Sequence, residues 1–245
     1  MSAVSLVPAV PPVDRVEGVR LSRVQYHRLA DVLDSLSPTE WAAPTDCAGW
    51  DVKAVASHVL GGLECLVSRR EFVRQLLAGR RLGYPDPLDG LNEYQVRLYA
   101  PLPSSVVAAR LRSLVDPALK ARLRTPRALR SLVRPSMAVS GRVSLGWIFD
   151  VIYTRDTFMH RIDVCRATGR DVVTDQIEAR IVADIVGEWA DRHGAPVTLR
   201  ITGPAGGTYV AGSGGEEIEC DAIEFARLVS GRGTPVGLLA TSVQY

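Results

Sequence analysis

The feature that most constrains the fold is the stretch from Trp147 to Val164, which contains neither proline nor glycine. Such a stretch predicts a long helix, and within it Asp156 and His160 are four residues apart. Residues at this spacing lie on the same helix face, and flanking apolar residues indicate that this face points inward. Burying a carboxylate and an imidazole is costly unless both are paired, and a divalent cation is an efficient partner. The spacing therefore predicts a metal site that needs a further ligand.

The third ligand is sought among the remaining histidines, because the chain has only four. His58 borders the apolar stripe of a predicted amphipathic helix that begins after Asp51 and is expected to end at Gly79. Gly61 and Gly62 inside this helix each cost about 1 kcal/mol relative to alanine, which indicates that another backbone or a ligand approaches closely. His58 is therefore the best third ligand. A buried Asp–His network without metal is the alternative.

Asp163 lies seven residues after Asp156, close to the same face of the predicted helix. From there it is expected to orient a ligand histidine through a hydrogen bond. The alternative is a surface carboxylate that pairs with Arg166 or Arg170.

Composition excludes several classes of partner. The net charge of the 245-residue chain is +2, so no global charge favours nucleic acid or an acidic membrane. No apolar stretch approaches the roughly 20 residues needed to cross a bilayer, and the segment from Met1 to Pro12 lacks the pattern of a signal peptide. The four cysteines form no C-x-x-C pair, which fits reduced thiols. We expect a soluble, cytoplasmic protein.

The chain is expected to have a leader (residues 1–16), a helical domain (17–170) and a second domain (171–245). The segment 116–144 is predicted to be a long basic connection, since it carries seven basic residues against one acid. It is either a solvated link or a cover that attracts carboxylate-bearing ligands to an active site.

The second domain is predicted from a change to short mixed elements after Gly169. An amphipathic helix is expected over residues 174–192, followed by a hairpin of strands 197–202 and 208–211. A third short strand is predicted at 216–220. Asp221 is placed to cap a final helix that stops at Gly231.

Three motifs resemble those of the mycothiol-dependent maleylpyruvate isomerase family, whose members are relatives of the DinB-like metal-binding four-helix bundles. The first is Thr45-Asp46-Cys47-Ala48-Gly49-Trp50-Asp51-Val52 followed by Ser57-His58-Val59. The second is Asp156 through Val164, and the third is Asp221 through Arg232.

The resemblance implies an α+β protein with an N-terminal DinB-like four-helix bundle and a small C-terminal α/β domain. It implies a metal, usually zinc, on His58, Asp156 and His160. The isomerase has glutamate where Asp156 stands, so this carboxylate arm is one methylene shorter. Arg232 is similar to an arginine that is implied to hold a substrate carboxylate. Iron(II), nickel and manganese also accept two imidazoles and a carboxylate, and zinc is the default.

The leading hypothesis is a metal-dependent enzyme that uses a low-molecular-weight thiol, mycothiol, to isomerise or modify a small activated molecule. A second hypothesis is an enzyme of specialised metabolism that uses the metal or the Asp–His pair without a thiol. A third is a non-catalytic protein that binds a small ligand.

Overall fold

The computed structural model describes residues 4–245, which form two compact units. The helical unit contains residues 22–132 and 160–172, and the mixed unit contains the described residues up to Leu21 together with 133–159 and 173–245. The division falls inside the helices Arg15–Asp34 and Tyr153–Ala167. The helices are α1 (Arg15–Asp34), α2 (Val52–Val67), α3 (Arg69–Arg80), α4 (Pro87–Tyr99), α5 (Ser104–Arg124), α6 (Arg127–Leu132), α7 (Leu145–Trp147), α8 (Tyr153–Ala167), α9 (Gln176–His193) and α10 (Ala222–Val229). The strands are β1 (Val4–Leu6), β2 (Ser136–Met137), β3 (Gly141–Arg142), β4 (Val197–Thr202), β5 (Gly207–Ala211) and β6 (Glu216–Asp221).

Helix α2 is the central element of the helical unit, and it packs against α3, α4 and α5. Its apolar residues Val55, Leu60 and Leu63 are fully buried. Helices α3 and α4 approach each other at Gly79 and Gly90, where an added Cβ would lie 2.5–2.7 Å from the opposing backbone. Only glycine fits at both positions of this crossing.

Polar side chains also tie helices of this unit together. Arg122 of α5, 1% exposed, donates a hydrogen bond of 2.8 Å to Ser22 Oγ of α1. Arg161 of α8 donates one of 3.1 Å to Gln25 of α1. Buried polar groups need such partners, so these contacts fix which helix faces meet.

The mixed unit is built on a four-stranded sheet of order β1-β5-β4-β6. Strands β4 and β5 form an antiparallel hairpin, whereas β1 and β6 add in parallel at the two edges. Helices α9 and α10 pack on the strands, with Trp189 and Phe225 fully buried. Arg155 of α8 is also buried in this unit, where it pairs with Asp184 and Glu188.

The α+β class is confirmed, and so are the β4–β5 hairpin and the helix after Asp221. Asp221 Oδ1 accepts hydrogen bonds from the backbone N–H groups of Ile223 and Glu224 at 2.8 and 3.3 Å. Among the described residues, none of the helices is both long and apolar enough to cross a membrane.

The predicted leader needs a correction. Residues 1–3 lie outside the described part of the chain, but Val4–Leu6 forms strand β1 and pairs with β5, with Val4 opposite Thr208. The edge of β5 carries backbone groups that need partners, and this distant segment supplies them.

Two predicted elements in the helical region are also wrong. The single helix expected up to Gly79 is broken at Ser68, which has extended backbone angles and accepts a hydrogen bond from Glu71 N–H as the N-cap of α3. The basic connection from 116 is helical as far as Arg124, with Pro117 inside α5. Val115, Ala118 and Leu119 are fully buried there, and this packing outweighs the hydrogen bond that proline cannot make.

Candidate metal centre

His58 is positioned by the start of helix α2. Asp51 Oδ1 accepts a hydrogen bond of 2.7 Å from Ala54 N–H, which caps the helix two turns before the histidine. His58 is partly exposed, and its Nδ1 lies 2.9 Å from Oε1 of Gln95 on helix α4. This contact engages Nδ1, so Nε2 is the ring nitrogen that could bind a metal.

A carboxylate on the same helix, α8, contacts the Nδ1 atom of His160. Asp163 is fully buried, and its Oδ2 lies 3.1 Å from His160 Nδ1. With the carboxylate oxygen of Asp163 as the acceptor, Nδ1 of His160 is the donor, and Nε2 is the nitrogen that offers a lone pair. Asp163 therefore lies in the core, which contradicts the alternative of a surface carboxylate paired with Arg166 or Arg170.

The two histidine rings meet in a T-shaped arrangement, with an angle of 73° between their planes, beside a tryptophan. The ring centroids of His58 and His160 are 5.1 Å apart. The Trp50 ring lies 5.3 Å from His58 and 6.2 Å from His160. An indole in this place shields the imidazoles from water on one side, which strengthens electrostatic interactions at the site.

One ligand atom from each of His58, Asp156 and His160 lies within 4.8 Å of the other two. Donors bound tetrahedrally to zinc at about 2.0–2.1 Å are about 3.4 Å apart, so a small inward adjustment suffices. Two imidazoles and a carboxylate are ordinary zinc donors and leave a fourth position open. The residues present therefore fit a divalent metal, and the three predicted donors lie together.

Helix α8 is preceded by a π-helical segment, Ile148–Ile152. The long predicted helix is therefore present but interrupted immediately before the Asp156–His160 pair. Such segments change the rotation of the residues that follow and occur frequently at functional sites.

A second group of donors overlaps the first. Cys47 Sγ donates to Asp163 Oδ2 at 3.2 Å and lies 3.9 Å from His160 Nδ1, and these three residues also lie within metal-binding reach of one another. The sequence argument missed Cys47 and Trp50 as site residues, although both belong to the motif that begins at Thr45. All four cysteines are free thiols.

A second layer of polar residues was also missed. Gln95 and Gln75 are buried amides on α4 and α3, and Gln95 Nε2 donates to Gln75 Oε1 at 2.9 Å. Gly61 does face a close neighbour, but it is the Gln95 side chain rather than the expected backbone or ligand, since a Cβ at Gly61 would lie 2.4 Å from Gln95 Cγ. A single amide on a helix carries no periodic signal, so only the glycine indicated it.

A cavity of about 610 Å³ lies beside Trp50 in the helical unit, and none of His58, Asp156 and His160 lines it. Trp50, Lys53 and Ser57 are among its lining residues. Ser57 is 1% exposed, and its Oγ lacks a hydrogen-bond partner within the described part of the chain. The cavity is of the size that small organic ligands occupy.

Arg232 lies just after α10 in the mixed unit. Its backbone N–H donates to Arg227 O at 2.8 Å, and its Nη1 donates to Ser230 Oγ at 3.1 Å. These bonds hold the Ser230-Gly231-Arg232 turn in a fixed conformation. The role predicted for Arg232 toward a substrate stays a prediction.

The protein thus contains a helical unit and a small α/β unit, and its His/Asp donors lie on two helices, α2 and α8. A family model described as the mycothiol maleylpyruvate isomerase N-terminal domain matches residues 23–165, more than half of the chain. The chain therefore belongs to this family, which confirms the resemblance seen in the sequence.

Solved structures agree with this assignment at the level of the fold. The crystal structure of the mycothiol-dependent maleylpyruvate isomerase is similar with a TM-score of 0.58 and 16% identity, over 94% of this chain and 92% of that one. A mutant of the same isomerase gives the same TM-score at 15% identity and the same coverage. None of the curated proteins matches the chain in sequence.

Proposed function

We propose that this protein is a metal-dependent enzyme that uses a low-molecular-weight thiol, mycothiol, to isomerise or transfer a small carbonyl- and carboxylate-bearing molecule. The observation that carries the proposal is the convergence of His58, Asp156 and His160 in a chain of this family. Zinc is the proposed metal because the donors are two imidazoles and one carboxylate. A metal bound there supplies a Lewis acid that lowers the pKa of a thiol and favours the thiolate.

The residues of the chain have separate roles in this proposal. His58, Asp156 and His160 donate to the metal, and Asp163 orients His160 by accepting the proton of its Nδ1. The cavity beside Trp50 offers space for the organic part of a bound small molecule. Arg232 is proposed to bind the substrate carboxylate, an assignment that rests on the family motif.

The proposed reaction needs no redox partner. A thiolate adds to a cis carbon–carbon double bond conjugated with a carbonyl, and the electron pair moves onto the carbonyl oxygen. The former double bond is then single and rotates. The electron pair returns, the carbon–sulfur bond breaks and the trans isomer leaves with the thiolate regenerated.

Metal analysis and a thiol-dependent assay test this proposal. Protein purified without added ions is expected to carry about one zinc ion per chain and to isomerise maleylpyruvate only when mycothiol is present. His58→Ala is expected to lose both zinc and activity, whereas His27→Ala, outside the cluster, is expected to keep both. Equal turnover with and without thiol would favour a metal enzyme without thiol chemistry. Wild-type protein free of metal and inactive with the thiol would overturn the proposal.

A further inference from the structure

A chain of buried amides links His58 to a carboxylate at the edge of the helical unit. His58 Nδ1 lies 2.9 Å from Gln95 Oε1, Gln95 Nε2 lies 2.9 Å from Gln75 Oε1, and Gln75 Nε2 lies 2.9 Å from Glu71 Oε1. Gln75 is fully buried and Gln95 is 2% exposed. The link between the two amides therefore lies in the core, where an unmade hydrogen bond is costly, and the two end links are part-buried.

The carboxylate of Glu71 determines which group donates and which accepts at each hydrogen bond between the amides. Glu71 pairs with Arg74, whose Nε donates to Glu71 Oε2 at 2.9 Å. The hydrogen bond from Arg74 lowers the pKa of the Glu71 carboxyl, so this group is ionised and only accepts. Gln75 must then direct its NH₂ group to Glu71 and its Oε1 to Gln95. Gln95 in turn must direct its Oε1 to His58.

A neighbouring thiol supports the same direction. Cys65 Sγ lies 3.1 Å from Gln75 Oε1, and burial raises the pKa of this thiol to about 12. Cys65 is therefore a protonated S–H donor, and an oxygen of Gln75 is the group that accepts from it. Two donors thus converge on Gln75 Oε1.

The reversed arrangement is unfavourable. If His58 Nδ1 were the acceptor, both amides would have to rotate, and Gln75 Oε1 would face Glu71 Oε1. Two acceptors would then meet at a part-buried contact with no proton between them, which is unfavourable. The Nδ1–H tautomer of His58 is the one that satisfies every link.

We propose that Glu71, Gln75 and Gln95 are positioning residues that hold His58 in its Nδ1–H tautomer and so present the lone pair of Nε2 to the metal. This inference rests on the proposed function for the metal, but the tautomer itself is a property of the metal-free protein. Asp163 makes the equivalent contact with His160 directly. His58 obtains it through the two amides Gln95 and Gln75, which end at the carboxylate of Glu71.

Gly61 provides the space that the chain of amides needs. A side chain at position 61 would overlap Gln95 Cβ, Cγ and Cδ at 2.4–2.8 Å. Gln95 would then leave its position, and the bonds to His58 and Gln75 would break. This requirement explains a glycine in the middle of α2, where helix propensity disfavours it.

Nitrogen-15 NMR of the histidine rings in the chelated, metal-free protein tests the inference at about pH 8.5, where imidazole is neutral. His58 is expected to be the Nδ1–H tautomer in the wild type. Glu71→Gln can donate as well as accept, so it is expected to produce a mixture of tautomers. Gln95→Met removes the acceptor and is expected to favour Nε2–H. Glu93→Gln removes the same charge from a pair with Arg97 outside the network and is expected to leave His58 unchanged.

Zinc affinity, measured by competition with a chelator, gives a second readout. Gln95→Met is expected to weaken zinc binding by about 10- to 100-fold. This is the usual effect of removing a group that hydrogen-bonds to a metal-binding histidine. Glu71→Gln is expected to weaken it less, and Glu93→Gln not at all. An Nε2–H tautomer in the wild type, or tautomers in Glu71→Gln and Gln95→Met equal to the wild type, would overturn the inference. A wild type that binds no zinc would instead overturn the proposed function, since the tautomer is read without metal.

Discussion

Asp163 Oδ2 lies 3.1 Å from Nδ1 of His160 within one turn of helix α8, and the carboxylate is fully buried. Asp163→Asn keeps the size of the side chain but removes the charge that stabilises the Nδ1 proton. We expect zinc binding to weaken by about 10- to 100-fold, measured by competition with a chelator. Asp116→Asn, an exposed carboxylate paired with Arg23, is the control and should bind zinc as the wild type does. Unchanged affinity in Asp163→Asn would show that the contact does not support the metal.

The two donor groups share only His160, and Cys47 belongs to the second group alone, so a change of Cys47 distinguishes them. If the metal binds to His58, Asp156 and His160, Cys47→Ala removes only a weak thiol donor to Asp163. We expect its zinc affinity to stay within about threefold of the wild type, since such a bond contributes little. A loss as large as that of His58→Ala would instead place the metal on Cys47, His160 and Asp163.

The sequence signals that point to His58, Asp156 and His160 as donors are local. Asp156 and His160 lie four apart on one helix, and Asp51 caps the helix that carries His58. Each of these patterns depends on residues within two helical turns. The same holds for the cap at Asp221, which the structure confirms.

The two amides that support His58, Gln95 and Gln75, were not predicted because they depend on contacts between distant segments. Gln95 reaches His58 because α4 packs on α2 at Gly61. Strand β1 was missed for the same reason, since its partner β5 lies about two hundred residues further along the chain. Neither contact leaves a periodic pattern in the segments that make it.

Gly61→Ala should destabilise the protein although alanine is the better helix former. The new Cβ would lie 2.4 Å from Gln95 Cγ, so we expect the free energy of unfolding to fall by about 1–3 kcal/mol. Gly187→Ala in α9 is the matched control, because its Cβ would meet Val10 at 4.0 Å. There we expect a gain of up to about 1 kcal/mol. Urea unfolding measures both, and the same sign for the two variants would contradict the crowding at Gly61.

The stability contribution of Glu71 should depend on pH. Its hydrogen bond with Arg74 lowers the pKa of the folded carboxyl below the ordinary value of 4.5. A lowered carboxyl pKa stabilises the folded state above the unfolded pKa, and this contribution disappears as pH falls through the folded pKa. In metal-free protein, the difference in unfolding free energy between the wild type and Glu71→Gln should therefore be constant at neutral pH. It should shrink below about pH 4.5. A difference that stays constant into acid would show that the ionised form of Glu71 adds nothing.

Arg232 provides a test of substrate recognition that is separate from the metal. If its guanidinium binds the substrate carboxylate, Arg232→Ala should lower kcat/KM by about 10- to 150-fold, the equivalent of one hydrogen bond to a charged group. Zinc content should stay unchanged, since arginine is not a metal donor. Arg200→Ala removes an exposed arginine of β4 that pairs with Glu217 at 3.7 Å and should keep full activity.

A substrate analogue without the carboxylate completes the test of Arg232. With an analogue in which the carboxylate is replaced by a neutral amide, the wild type and Arg232→Ala should have the same kcat/KM, because the charge that Arg232 recognises is gone. A variant equally impaired toward both substrates would show that Arg232 supports the fold of its turn, through Ser230 and Arg227, rather than the carboxylate. Arg232→Lys should recover only part of the activity, since an ammonium group cannot make the paired hydrogen bonds that a guanidinium makes to a carboxylate.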